Sequence, residues 1–243
     1  MTARLLIDAG NTRLKWAVAD GPGWQAQGVC DYADWSGLEA VLADVRTCVI
    51  ASVAGAERTQ HLSDVLARAG VAAVWLQAAA AFGDLRNGYD DPEQLGVDRW
   101  MGLIAARART REPVLVVSTG TALTADALAA DGAFLGGVIV PGLALMRQAL
   151  RDGTAGVDPA AGSKQAFPRT TADAVHSGMV GALCGCVRQQ YAYLAAHAAQ
   201  APRCFMTGGD AAVLAPHLEL PVEIVPALVL EGIERVAREG SAR

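Results

Sequence analysis

The sequence is short of charge, of long apolar runs and of paired metal-ligand spacings, and each shortage closes off a class of function. Charged residues make up 19% of the 243 residues, against about 25% in ordinary globular domains. With 20 Lys and Arg against 25 Asp and Glu, the formal net charge is −5. No basic surface offers itself to a phosphate backbone, so no nucleic-acid partner is expected. The longest nearly apolar stretch, Phe134 to Met146, is broken by Gly136, Gly137, Pro141 and Gly142. It falls well short of the roughly 20 residues that cross a bilayer, so no membrane partner is expected. Only Leu5-Leu6-Ile7 precedes Asp8, too little for the apolar core of a secretory leader, which predicts a cytoplasmic protein.

Five cysteines (Cys30, Cys48, Cys184, Cys186, Cys204) are an odd number without CxxC spacing, and read as reduced, buried small hydrophobes rather than zinc ligands or a disulfide framework. His61, His176, His197 and His217 stand alone; without a paired spacing they read as surface or capping residues, not as a metal site or triad. What is abundant is apolar: 52% of the chain, ample for the cores of one or two domains.

A repeat is present at half length. Arg4-Leu5-Leu6-Ile7 runs into Asp8-Ala9-Gly10-Asn11-Thr12, and Val114-Leu115-Val116-Val117 runs into Ser118-Thr119-Gly120-Thr121-Ala122, so that Ser118 lies 110 residues after Asp8. Each turn is followed by a strand-like segment, Leu14 to Ala19 or Leu123 to Leu128, then by a second turn and a third candidate strand. Helical periodicity follows: Leu38, Val41, Leu42 and Val45, then Leu62, Val65, Leu66 and Ala69. Cys48 to Ala51 and Val71 to Leu76 read as buried strands between and after them. The second half predicts helices near Leu143 to Arg151, Ala172 to Ala196, Ala211 to Leu218 and Leu228 to Arg238, with strands at Cys204 to Met206 and Val222 to Val225. The pattern predicts an α/β protein of two duplicated domains, residues 1–112 and 113–243, each a mixed βββαβαβ sheet. Arg151 to Thr170, rich in Gly, Ala and Pro, reads as a mobile loop.

A strand ending in a tight Gly turn with Asn or Thr at its tip turns backbone N–H groups and hydroxyls outward, which suits a phosphate. Two such turns in register make a phosphate clamp. Asp8 at the first tip could hold Mg²⁺ through water, and Lys15 either reaches a phosphate or lies on the strand surface. A third turn, Met206-Thr207-Gly208-Gly209-Asp210, either packs on a base or ribose or simply joins strand to helix with Asp210 as cap. The polar segment from Asn87 to Arg99 lies between the halves. Asp98 and Arg99 at the mouth of a helix read either as base and anion anchor or as a cap with a surface ion pair.

Taken in order, these residues resemble the type III pantothenate kinases, of the acetate-kinase, sugar-kinase, Hsp70 and actin superfamily, over nearly the whole chain. The resemblance rests on Asp8-Ala9-Gly10-Asn11-Thr12 with Lys15, Tyr89 seven residues before Gly96, Gly96-Val97-Asp98-Arg99, Gly120-Thr121-Ala122, Gly136-Gly137 through Pro141-Gly142, and Thr171 seven before Gly178. It implies two ribonuclease-H-like (actin-like ATPase) domains with an interdomain nucleotide cleft. It implies transfer of the γ-phosphoryl group of ATP, with Mg²⁺, to the 4′-hydroxyl of pantothenate, the first step toward coenzyme A. By the same resemblance Asp98 is the proton acceptor. Asp8, Ala9, Gly10, Asn11, Thr12, Arg13, Leu14, Lys15 and Thr121 bind ATP, and Tyr89, Gly96, Val97, Asp98, Arg99 and Thr171 bind the acceptor. Thr171 serves the neighbouring subunit's site, which implies a homodimer.

The chain departs from the family pattern at Ser118, where relatives carry an Asp that coordinates the K⁺ or NH₄⁺ ion needed for activity. A neutral hydroxyl there implies a weaker cation site. Two other functions fit less of the sequence: a sugar kinase of the same superfamily, for which the chain is short, and a non-catalytic regulatory accessory factor, against which Asp8, Asp98 and Thr121 stand intact.

Overall fold

The computed structural model describes residues 3–20, 23–154 and 162–239. The chain forms β1 (Arg4–Ala9), β2 (Arg13–Asp20), β3 (Gly23–Asp31), α1 (Ser36–Leu42), β4 (Thr47–Ser52), α2 (Ala56–Arg68), β5 (Ala72–Trp75), β6 (Ala81–Phe82), β7 (Leu85–Arg86) and α3 (Val97–Arg109). It continues with β8 (Val114–Thr119), β9 (Ala122–Leu128), β10 (Phe134–Pro141), α4 (Leu143–Gly153), α5 (Thr171–Ala198), β11 (Arg203–Gly208), α6 (Ala211–Leu214), β12 (Glu223–Ile224) and α7 (Leu228–Glu239).

The duplication is evident in the strand order. One sheet runs β3-β2-β1-β4-β5 and the other β10-β9-β8-β11-β12. In each, the first strand is antiparallel to the second and parallel to the fourth element of its sheet, β1 with β2 and β4, β8 with β9 and β11. The tip after β1 has three residues between strands and the tip after β8 has two, so the copies differ where ligand chemistry is expected.

Alternation along β1 separates two faces. Leu5, Ile7 and Ala9 join Leu38, Leu42, Leu62, Val65 and Leu66 of α1 and α2 in one core. Leu6 and Asp8 point to the other face, where α7 packs against β1, β2 and β4 and α3 packs against α7. In the second copy, Leu115, Val117, Leu123 and Ala125 form a core with Met179, Val180, Leu183 and Val187 of α5.

The chain divides into two compact units, Met1–Arg109 with Ala227–Arg243, and Thr110–Pro226. The repeat predicts a boundary at 112/113 with α7 in the second half, whereas α7 packs in the first unit. Its apolar stripe Leu228, Val229, Leu230 and Ile233 is buried, and Gly232 lies so close to Met101 of α3 that an added Cβ would stand 2.0 Å from the Met101 carbonyl oxygen. Arg109 and Glu231 close the pair with two 2.7 Å hydrogen bonds.

Three local expectations are corrected. Val71 to Leu76 is not a buried strand: β5 is a sheet edge whose four side chains are exposed, because only β4 pairs with it. Ala211 to Leu218 is not one helix, since α6 stops at Leu214 and a 3-10 turn carrying Pro216 follows; proline cannot donate the next helical hydrogen bond. Val222 to Val225 shrinks to the two-residue β12. Part of the expected mobile loop, residues 155–161, lies outside the described residues. None of the five cysteines forms a disulfide, and all but Cys186 are buried.

Candidate active site

In the first unit the site is built from the end of β1 and the start of α3. Asp8 stands one residue before the end of β1, directly across from Lys15 on β2, and is buried. Loss of solvation raises its carboxyl to about 6; Lys15 opposes this and the nearby Asp98 reinforces it. Such a carboxylate gains from a cation beside it, which is the condition a Mg²⁺ ligand must meet.

Asp98 lies in the first turn of α3, whose first helical bond runs from Trp100 N to Gly96 O at 3.0 Å. Arg99 N donates to Asp98 Oδ1 at 2.8 Å. Burial pushes the Asp98 carboxyl above its ordinary value, more than the Arg99 amide and guanidinium pull it down. A raised carboxyl with one oxygen held by the backbone is disposed to accept a proton through the other. Arg99 is buried and donates to Tyr89 Oη at 2.8 Å, with its guanidinium 5.6 Å from the Tyr89 ring centroid.

The loop carrying Tyr89 is held by Asn87, which sequence reasoning did not single out as a site residue. Asn87 Nδ2 donates to Ala79 O and Pro92 O at 3.2 and 3.1 Å, while Tyr89 N donates to Asn87 Oδ1 at 3.1 Å. Gly88, Tyr89, Asp90, Asp91 and Gln94 line a cavity of about 420 Å³.

Of the other residues expected in the first phosphate turn, Gly10 closes it through a 3.1 Å bond from its N–H to Arg13 O. Asn11 and Thr12 are exposed at its tip. Ala9, Leu14 and Val97 are buried apolar side chains, so only their backbone can meet a ligand. The Arg13 side chain turns to Asp31, 3.5 Å away. Two further residues reach this turn: Tyr32 Oη donates to Gly10 O at 2.6 Å and Arg58 donates to Asn11 O. They lie 22 and 47 residues from the groups they touch, and no local pattern marks them.

In the second unit three glycines shape the tip between β8 and β9. Gly120 N bonds to Ala122 O at 3.0 Å, and Gly142 N to Thr121 O at 2.9 Å. A Cβ on Gly142 would stand 2.0 Å from Gly120 O, and one on Gly208 1.9 Å from Thr119 O. Gly208 also has φ +101°, a conformation that side chains disfavour. Thr119 Oγ1 donates to Thr207 O at 3.0 Å, tying this turn to the third glycine turn, where Asp210 occupies the N-cap position of α6.

Ser118 is half-buried on β8, with Thr207 and Thr124 as its cross-strand neighbours. Thr124 Oγ1 is buried without a hydrogen-bond partner. Thr171 opens α5 behind the Thr170 cap, which accepts from Asp173 N at 3.1 Å. On the same helix face, Gly178 lines an apolar groove of about 820 Å³ with Leu145, Met146, Leu150, Val175 and Met179.

Comparison with known proteins gives a consistent result. The family model for type III pantothenate kinase matches residues 4–193. A type III pantothenate kinase of Thiobacillus denitrificans is 58% identical over 237 residues, which cover 98% of this chain and 97% of that one. Among solved structures, component A of the (R)-2-hydroxyglutaryl-CoA dehydratase of Acidaminococcus fermentans covers 100% of both chains with a TM-score of 0.57 at 13% identity. The ADP-bound MreB5 of Spiroplasma citri has a TM-score of 0.52 at 11% identity, over 98% of this chain and 97% of that one. These two share the fold. No helix among the described residues is long and apolar enough to cross a membrane.

Proposed function

The chain belongs to the type III pantothenate kinase family, and on that premise we propose how its residues transfer the γ-phosphoryl group of ATP to the 4′-hydroxyl of pantothenate. The enzyme is a kinase of coenzyme A biosynthesis. Asp98 accepts the hydroxyl proton as the oxygen attacks. The observation that carries this assignment is the pair of features at Asp98: a carboxyl raised by burial and one oxygen fixed by Arg99 N at 2.8 Å. Phosphoryl transfer is largely positioning and charge stabilisation, and the chain supplies both around that carboxylate.

The turn from Asp8 to Lys15 and the turn at Thr121 receive the ATP phosphates through backbone N–H groups and the Lys15 ammonium. Asp8 would hold Mg²⁺ through water; that ion neutralises charge on the phosphate oxygens. Arg99, braced by Tyr89, binds the pantothenate carboxylate, for which its planar fork is suited. The acidic cavity beside Tyr89 repels that group, so the acceptor's anionic end goes to Arg99. Val97 and Gly96 contribute backbone.

A monovalent cation, K⁺ or NH₄⁺, would lie with Ser118 at its edge. The unpartnered Thr124 hydroxyl across the strand would supply a second neutral oxygen, and such a pair would bind the ion more weakly than a carboxylate. Two copies of the chain pair over the apolar groove beside α5, which brings Thr171 of one to the acceptor site of the other. Thr171 and Gly178 are two turns apart on one helix face, which supports this geometry. The enzyme works in the cytoplasm.

The test is a coupled ATP-turnover assay with pantothenate, in potassium, ammonium and sodium buffers, with simple sugars as control acceptors. Turnover dependent on pantothenate is expected, faster in potassium or ammonium than in sodium. Equal rates in all three would remove the cation from the reading; turnover with sugars alone would replace the acceptor.

A further inference from the structure

Two side chains from distant parts of the first unit converge on the turn after β1. Tyr32, just past β3, donates its hydroxyl hydrogen to Gly10 O at 2.6 Å. Arg58, on α2, donates to Asn11 O and lies over the Tyr32 ring, 4.5 Å from its centroid. Val53 N donates to Ala9 O at 3.0 Å. Three successive carbonyls of the turn are therefore held by groups outside it. In a trans peptide the C=O and the N–H of one unit point in opposite directions. Fixing the Gly10 and Asn11 carbonyls therefore fixes where the amides of Asn11 and Thr12 point.

We infer that Tyr32 and Arg58 are positioning residues for the nucleotide: they hold the Gly10 and Asn11 carbonyls so that the next two amides are aimed at the ATP phosphates. This rests on the reading of residues 8–15 as a phosphate turn. The arrangement is economical in charge. Arg58 holds its carbonyl with a cation that also stacks on the second brace, so each brace limits the freedom of the other. A turn with exposed Asn11 and Thr12 at its tip samples several conformations unless such contacts restrict it, and amides that converge on an anion only part of the time bind it correspondingly less tightly.

The experiment uses the full chain with Tyr32→Phe, Arg58→Gln, Arg58→Lys and the double variant Tyr32→Phe/Arg58→Gln. ADP affinity is measured by calorimetry, alongside KM for ATP, KM for pantothenate and thermal unfolding. Each of Tyr32→Phe and Arg58→Gln should weaken ADP and raise KM for ATP by about three- to tenfold. KM for pantothenate should stay within about twofold. The double variant should lose less than the product of the single effects, because both braces restrict one turn. Arg58→Lys, which keeps a donor and a cation, should recover part of the loss. A drop in unfolding temperature with unchanged ADP affinity would overturn the inference, as would an equal rise in KM for pantothenate. If the parent enzyme bound ADP but did not turn over pantothenate, the proposed reaction would fall while the ADP titrations still judged the brace.

Discussion

Gly96 and the Asp98 carboxylate occupy neighbouring space so closely that a Cβ on Gly96 would stand 2.8 Å from Asp98 Oδ1. Real Cβ atoms do not come that near, so the carboxylate would have to move. Gly96 has an ordinary backbone conformation; its lack of a side chain is needed for room. Gly96→Ala should therefore leave the fold intact and lower kcat by about 10- to 100-fold through misplacement of the acceptor oxygen. Steady-state kinetics with a thermal melt checks this, and an unchanged kcat would separate Asp98 placement from Gly96.

Removing the carboxylate proposed as proton acceptor is a sharper test. Asp98→Asn keeps the shape and the Arg99 N contact but cannot take a proton, so kcat should fall by about 10² to 10⁴ with ADP affinity nearly unchanged. A loss smaller than about tenfold would reduce Asp98 to holding the acceptor in place.

The Arg99–Tyr89 pair should govern the acceptor rather than the nucleotide. Arg99→Met should raise KM for pantothenate by about 10- to 100-fold, and Tyr89→Phe, which removes the 2.8 Å bond to Arg99, by a few-fold. Both should leave KM for ATP within about twofold; if ATP suffered equally, Arg99 would belong to the phosphate site.

The buried Asp8 carboxyl ties the stability of the fold to pH. Its carboxyl is raised from 3.8 to about 6 in the folded protein, so between those values the native state binds more protons than the unfolded chain. Stability contributed by this group is full below about pH 4 and is lost as pH rises through about 6. Asp8→Asn should therefore be more stable than the parent, by at most about 3 kcal/mol, and unfold at a higher temperature at pH 7.5 in buffer without Mg²⁺ or nucleotide. The gain should vanish near pH 4, and nucleotide binding should be impaired at every pH. A variant less stable than the parent at pH 7.5 would mean that Asp8 is already well paired.

Much of the architecture was legible because it is written twice. The 110-residue offset between Asp8 and Ser118 located both sheets and both tips, and the periodicity around Leu38 and around Leu62 located helices. What was not legible depends on partners far along the chain. Val71 to Leu76 has the composition of a strand, and composition cannot say that no further strand will cover it. The stripe on α7 announces a buried face without saying which sheet it meets. At the site, Asp98 and Arg99 stood out as adjacent charges at a helix start. Tyr32, Asn87 and Arg58 act through hydrogen bonds to backbone carbonyls or loop atoms, and such contacts leave no spacing to read.

The position of α7 has a consequence for the order in which the molecule is made. Thr110–Pro226 is one uninterrupted stretch and can fold as it leaves the ribosome. The helix bearing Asp98 is synthesised before that stretch, yet its packing partner at Gly232 and Glu231 arrives after it. The first unit must therefore stay open until α7 is made, with its apolar sheet face waiting for that helix. A chain halted just before α7 would carry α3 and Asp98 and still lack the helix that packs against α3, so proteolytic clearance of stalled products should begin at that uncovered face.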